Sequence, residues 1–143
     1  MLIGEYQHGI DAKGRVFMPA KFREELGENF LITKGIGKCL FVFSLEEWNR
    51  FADKLKLIPT TDISSQTFIR MFFAGACECE PDKQGRILLP QRLRDFCELT
   101  EEAVVIGVGS RVEVWSAQNW QKYNEGAYED YEATLAKLAQ LGI

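Results

Sequence analysis

Two aspartate–arginine pairs stand at the same spacing of four residues, Asp11 with Arg15 and Asp82 with Arg86. Paired carboxylates can carry out general acid–base catalysis when they are desolvated and lie within reach of a substrate. Here an arginine four residues away would keep each aspartate ionised, and aspartate is also a common turn residue. Arginine, in turn, can bond guanine in a bidentate manner. The pairs therefore favour a binding role over a catalytic one.

Each pair belongs to a thirteen-residue motif that occurs twice, 71 positions apart. The first copy reads DAKGRVFMPAKFR, and the second reads DKQGRILLPQRLR. An internal repeat decides the architecture, and a unit of this size is too small to bury much core alone. We therefore expect the two copies to pack together, or each to pair with a copy from another chain. The similarity divides the chain into two repeat units, a helical connector and a C-terminal helix, at about 1–48, 72–120, 49–71 and 121–143.

Positive charge is concentrated in the two motifs. Residues 1–23 carry four bases against two acids, and residues 82–94 carry four bases against one acid, which gives net charges of +2 and +3. Residues 95–143 carry nine acids against three bases, and the whole chain has a net charge of −4. This asymmetry is typical of a phosphate-facing surface on an acidic body, although short basic segments are also common on solvated faces. The candidate DNA-binding residues are Lys13, Arg15, Lys21, Arg23, Lys83, Arg86, Arg92 and Arg94.

The other residues with reactive side chains do not form a repeated site. Cys77 and Cys79 are spaced as C-x-C, which differs from the C-x-x-C of zinc and redox sites and fits two small residues on one face of a strand. The only histidine, His8, lacks ligand partners at motif spacing, and Ser44 and Ser116 fit helix caps better than nucleophiles. We therefore predict no enzyme activity, no metal site, no cofactor and no small-molecule substrate.

A turn in each motif is expected to hold the aspartate–arginine pair in place. Asp11 and Asp82 can bond their own backbone, while Gly14 and Gly85 can adopt positive φ. The flanking residues are predicted strands, so that each turn closes a local hairpin. The two predicted hairpins span 3–18 and 74–89.

Each predicted hairpin is followed by a short helix, two strands and a longer helix. Pro19 suits the first turn of the short helix in the first copy, and the S-x-x-E capping box at Ser44 begins the longer one. In the second copy the longer helix begins near residue 117 and is predicted to continue toward the C-terminus. The strands are too short for parallel βαβ units. The fold class is therefore mixed, with a β-dominated core and peripheral helices.

The repeated pattern D-x-x-G-R-[VI]-x-x-P-x-x-x-R resembles the signature of the AbrB/SpoVT swapped-hairpin DNA-binding domain. Two copies within 143 residues resemble the bacterial MraZ family, and the resemblance covers nearly the whole chain. It implies two AbrB-like half-barrels in tandem, with interleaved hairpins that form a pseudo-two-fold β-barrel. Single-copy relatives include antitoxins and sporulation regulators. A structural or antitoxin-like protein-binding module is therefore the alternative function.

The same resemblance implies a function in transcription. MraZ-like proteins are regulators that bind repeated promoter elements near the division and cell-wall gene cluster, assemble into ring-shaped homo-oligomers and associate with the nucleoid. We therefore expect a cytoplasmic protein that binds double-stranded DNA and not membranes. The motif positions carry over as Asp11, Lys13, Arg15 and Arg23, and as Asp82, Arg86 and Arg94. Gln84 stands where the first copy has Lys13, so we expect the two copies to contribute unequally.

Overall fold

The computed structural model describes all 143 residues as eight strands and six helices. The strands are β1 (Leu2–Gly9), β2 (Arg15–Phe17), β3 (Phe30–Lys34), β4 (Cys39–Ser44), β5 (Cys77–Cys79), β6 (Arg86–Leu88), β7 (Glu102–Gly109) and β8 (Val112–Ser116). The helices are α1 (Ala20–Leu26), α2 (Leu45–Lys56), α3 (Ile63–Gly75), α4 (Gln91–Phe96), α5 (Ala117–Glu129) and α6 (Tyr131–Gln140). No helix combines the length and the apolar character that a membrane span requires.

The two copies exchange strands instead of forming separate sheets. The large sheet is antiparallel, and its strand order is β1-β7-β8-β4-β3-β5. Strand β1 of the first copy pairs along its whole length with β7 of the second, from Leu2 opposite Gly109 to Gly9 opposite Glu102. Strand β5 of the second copy pairs with β3 of the first. The half-barrels are thus interleaved within one chain, which confirms the predicted mixed, β-dominated, swapped-hairpin fold.

The predicted local hairpins are wrong in their strand partners. Residues 3–10 and 15–18 do not pair with each other, because β2 pairs with β6 of the other copy and Val16 lies opposite Ile87. Both side chains are almost fully buried, and one copy alone has too little apolar surface to bury them. The second predicted hairpin also begins too early, since α3 continues through Gly75.

The main core lies between the large sheet and the β2–β6 ribbon. Its buried residues come from both copies and include three pairs at matching motif positions. These pairs are Val16 with Ile87, Met18 with Leu89, and Phe22 with Leu93. The two motifs therefore contribute equivalent apolar surfaces to a single core, around a pseudo-two-fold axis.

The helix caps follow the prediction, whereas the C-terminal helix does not. The Ser44 hydroxyl accepts a hydrogen bond from the backbone N–H of Glu47 at 3.2 Å, and the Ser116 hydroxyl accepts one from Asn119 at 3.1 Å. Both serines therefore act as caps. The helix predicted to run on from residue 117 is interrupted at Asp130, whose φ of −103° and ψ of 16° divide α5 from α6.

Candidate nucleic-acid interface

The first turn is held by the Asp11 side chain. Its Oδ1 atom accepts hydrogen bonds from the backbone N–H groups of Lys13 at 3.0 Å and Arg15 at 2.9 Å. Its Oδ2 atom accepts one from Nε of Arg15 at 2.7 Å. Gly14 completes the turn with a φ of +87°, a conformation that glycine adopts without steric cost. The backbone and side chain of Arg15 are therefore both fixed by one carboxylate.

The second turn repeats this arrangement at matching positions. Oδ1 of Asp82 accepts hydrogen bonds from the backbone N–H groups of Gln84 and Arg86, both at 2.9 Å. Oδ2 accepts one from Nε of Arg86 at 2.9 Å, and Gly85 has a φ of +81°. The Lys13-to-Gln84 difference leaves the turn unchanged, because this position contributes only its backbone.

The electrostatics of the turns disfavour acid–base catalysis. The backbone N–H of Arg15 is the main cause that lowers the pKa of Asp11 from 3.8 to about 2, and the Arg15 side chain lowers it further. The backbone N–H of Arg86 likewise lowers the pKa of Asp82. Both carboxylates are therefore ionised at neutral pH and cannot serve as general acids. Their role in the structure is to orient the arginines.

The two turns lie side by side and form one surface. Nη1 of Arg86 approaches Oδ2 of Asp11 in the other copy to 3.8 Å, which is an ion pair between the copies. The side chains of Arg15 and Arg86 are 28% and 24% exposed, so they are supported by the fold and still reach solvent. We call residues 11–15 and 82–86 together the paired-turn surface.

The second arginine of each motif crosses to the turn of the other copy. Nε of Arg23 donates to the Met18 carbonyl at 2.9 Å, and its guanidinium lies over Gly85, where an added Cβ would lie 2.8 Å from Cζ. Arg94 takes the equivalent position over Gly14, where a Cβ would lie 2.6 Å from its Cζ. Glycine is therefore required at each position for two reasons. Its φ is positive, and the arginine that crosses it leaves no space for a Cβ.

The remaining candidate bases occupy three different surroundings. Lys13 and Lys83 are exposed on the turns, and Lys21 is exposed on α1. Arg92 faces away from the turns, because its Nη1 atom donates to the Gly75 carbonyl at 2.9 Å at the end of α3. At the end of α3, Arg92 lines a cavity together with two basic residues that the motif did not indicate, Lys34 and Arg70. Neither of these two lies in the thirteen-residue motif, so the motif gave no signal for the cluster.

The cysteines agree with the interpretation of small strand residues. Cys77 and Cys79 occupy positions i and i+2 of β5, and both contact the main core. Burial raises the pKa of the Cys79 thiol to about 12 and also raises that of Cys77. Since the thiolate is the form that binds metals and attacks electrophiles, burial disfavours reaction of both thiols at neutral pH, more strongly at Cys79 than at Cys77.

Comparison with known proteins agrees with the doubled architecture. A family model described as "MraZ protein, putative antitoxin-like" matches the chain twice, at residues 1–71 and 72–141. The chain belongs to the MraZ family. It is 55% identical over 143 residues to a transcriptional regulator MraZ of Heliobacterium modesticaldum, with full coverage of both chains. It is 54% identical over 138 residues to that of Carboxydothermus hydrogenoformans, with 96% of each chain covered.

Membership of the MraZ family confirms the resemblance that the repeated motif indicated. A third relative, from Alkaliphilus oremlandii, is 52% identical over the full length of both chains and has the same name. These relatives are named as transcriptional regulators and not as enzymes, which confirms the expected non-enzymatic class.

Proposed function

We propose that this protein is a transcriptional regulator that binds specific double-stranded DNA through its paired-turn surface. The observation that carries the proposal is the pairing of two arginine-bearing turns from different copies on one face of the molecule. The names of the relatives supply the biological context. The proposal implies a cytoplasmic protein associated with the nucleoid, with DNA as its ligand and no small-molecule substrate.

Arg15 and Arg86 are the residues proposed to contact the DNA bases. Each uses Nε to bond its aspartate, and neither Nη group of Arg15 is hydrogen-bonded within the chain. A guanidinium held in this way is suited to bidentate bonding with guanine, since a two-stranded β-ribbon fits the major groove. Orientation by the aspartate also reduces the entropy lost on binding. Each turn therefore holds its arginine in a conformation that is preorganised for DNA binding.

The other basic residues are proposed to contact phosphate or to support the turns. Lys13 and Lys83 project from the turns, where exposed lysines can pair with the DNA backbone. Arg23 and Arg94 have Nε bonded to backbone carbonyls, so they brace the opposite turn and leave Nη groups for phosphate. Lys21 would extend the contact from α1, whereas Arg92 faces away from the turns and is proposed to support the end of α3.

We further propose that binding depends on several subunits of a ring-shaped homo-oligomer. Residues 1–23 and 82–94 carry only +2 and +3 on a chain of net charge −4, so one subunit offers few phosphate contacts. Spaced subunits that engage spaced repeats would raise affinity through effective concentration. The resemblance to regulators of the division and cell-wall gene cluster suggests repeated elements in the promoter of that cluster as the target.

Binding to a promoter fragment with direct repeats tests this function. We expect retardation of the fragment, weaker binding to a single repeat and loss of binding to a scrambled sequence. Affinity should fall as salt rises, because lysine and arginine contacts release counterions from the phosphates. Equal affinity for intact and scrambled repeats would contradict sequence-specific regulation.

A protein-binding module is the second candidate, because α6 exposes a row of apolar side chains. This alternative predicts that a purified partner binds α6 and that promoter DNA is not retarded. The two functions are therefore separated by the same retardation experiment.

A further inference from the structure

The outer face of the large sheet carries an aromatic site in the first copy that is filled from within the chain. We call it the first aromatic seat; it consists of Phe43 on β4 and of Trp48 and Phe51 on α2. Phe72 of α3 occupies it, with its ring centroid 4.5 Å from Trp48, 5.2 Å from Phe51 and 6.0 Å from Phe43. The Phe72 side chain is fully buried, and its carbonyl accepts a hydrogen bond from the Thr33 hydroxyl. The first seat is therefore closed by α3.

The second copy has an equivalent site that no segment of the chain fills. Trp115, Trp120 and Tyr123 stand 72 positions after Phe43, Trp48 and Phe51, and they form the second aromatic seat. Their rings contact one another at centroid distances between 5.2 and 5.9 Å. The seat opens into a cavity of about 430 Å³ that is also lined by Phe41, Ile106 and Val108.

Helix α6 follows α5 as α3 follows α2, yet it buries none of its side chains, and at its start the Tyr131 ring contacts Tyr128 of α5. All of its residues are exposed, although Tyr131, Leu135 and Leu138 recur at i, i+4 and i+7 and so form one apolar stripe. A helix with such a stripe gains most of its stability by packing that face against a partner. The chain therefore contains both an open seat and an uncovered helix.

The connection between α5 and α6 prevents α6 from closing its own seat. In the first copy, residues 57–62 separate α2 from α3 and allow the chain to reverse. In the second copy only Asp130 separates α5 from α6. Antiparallel helices need a loop of about two to five residues. Helix α6 thus leaves the second seat open, which makes another copy of the chain the candidate source of its occupant.

We propose that α6 of one copy of this chain docks in the second aromatic seat of another copy. The apolar stripe of α6 would play the part that Phe72 plays in the first seat. The charges are compatible with this contact, since Glu129, Asp130 and Glu132 flank the start of α6, while Arg111 at the seat pairs with Glu113 through Nε and Nη2 and keeps an Nη1 atom without a hydrogen bond in the chain. Such a contact joins different surfaces of two molecules, which produces a closed ring or a filament.

This contact supplies an interface for the proposed homo-oligomer, and it rests on that part of the proposed function only. The paired-turn surface and the second seat share no residue. A protein that assembles but does not bind DNA would contradict the DNA-binding proposal and leave the interface intact. A protein that binds repeats while α6 docks elsewhere would contradict the interface alone.

Cross-linking between two variants tests the docking. Leu138→Cys places a thiol on the stripe and Val108→Cys places one in the cavity, both in a Cys77→Ser background that removes the least buried native thiol. With size tags on one variant, we expect a disulfide between the two variants after mixing and mild oxidation. The same oxidation of the Cys77→Ser protein without added cysteines is the control and should give no cross-link.

Three results would overturn the docking. The first is a cross-link with Leu138→Cys alone, which would mean that α6 helices pair with each other. The second is a cross-link within a single chain that carries both cysteines, which would mean that α6 reaches its own seat. The third is no cross-link in the mixture, whether or not the protein assembles by light scattering.

The assembled mass gives an independent measurement on the full chain. Leu135→Ser with Leu138→Ser removes the stripe, and we expect at least a tenfold weaker association by light scattering across protein concentrations. Gln140→Ser lies on the opposite face of α6 and is the matched control, for which assembly should stay unchanged. An unchanged mass for the stripe variant would also overturn the proposal.

Discussion

The first copy surrounds its aromatic seat with two helices, α2 and α3, whereas the second copy has only α5 beside its seat. Around the turns, by contrast, the copies match closely, with the same aspartate bonds and the same crossed arginines. The difference suggests two kinds of surface on one repeat. The symmetrical turns fit the proposed DNA surface, and the asymmetrical outer face fits assembly of copies.

The largest expected difference between the copies lies in the residues proposed to fill the seats. Phe72→Ala should lower the free energy of unfolding by about 3–5 kcal/mol, because it removes a fully buried ring and leaves a cavity. Leu138→Ala should change it by no more than about 0.5 kcal/mol when measured at a protein concentration too low for assembly. Urea denaturation followed by circular dichroism measures both. Equal losses would contradict the contrast between a filled and an open seat.

The turns should instead respond equally in the two copies. Gly14→Ala and Gly85→Ala should each lower the free energy of unfolding by about 1–3 kcal/mol, because φ is positive and the crossed arginine must move. Gly126→Ala in α5 meets no neighbouring atom and should stabilise the helix by about 0.5–1 kcal/mol. Thermal denaturation of the three variants checks this. A loss at only one turn would break the equivalence.

A smaller difference is expected between the tips of the two turns in DNA binding. Lys13→Ala should weaken binding and lower the magnitude of the salt slope by about 1, because a lysine that pairs with one phosphate releases a counterion. Gln84→Ala is uncharged at the matching position and should leave the salt slope unchanged. Titrations at several salt concentrations separate the two. Equal slopes for both variants would show that the copies contact phosphate alike.

The smallest expected effect is the acid sensitivity of the first turn. Because the folded pKa of Asp11 is lowered from 3.8 to about 2, its ionised form stabilises the fold above pH 4, and that contribution is lost as the pH falls toward 2. Asp11→Asn should remove this part of the pH dependence. The difference in free energy of unfolding between the variant and the unchanged protein should therefore become smaller as the pH falls toward 2. A constant difference between the two proteins from pH 7 to pH 2 would contradict the bonds assigned to Asp11.

Local features of the fold were predictable from the sequence, and the strand partners were not. The cap at Ser44 and the turn at Asp11 depend on bonds to residues at most four positions away. Val16 pairs with Ile87 because the two copies together supply the apolar surface that buries both side chains. The Asp11 turn is compatible with this pairing between copies and also with a local hairpin. The crossing of Arg94 over Gly14 joins residues far apart in the chain, so only the folded structure reveals why that glycine recurs.

The affinity of the Arg15→Ala/Arg86→Ala variant for a direct-repeat promoter fragment tests the central claim most directly. Two bidentate contacts contribute about 1–3 kcal/mol each, so we predict at least about 30-fold weaker binding. Arg50→Ala removes an exposed arginine on α2 and should bind like the unchanged protein. Unchanged affinity in a double variant that keeps its circular dichroism and its unfolding transition would contradict a DNA-binding role for the paired-turn surface.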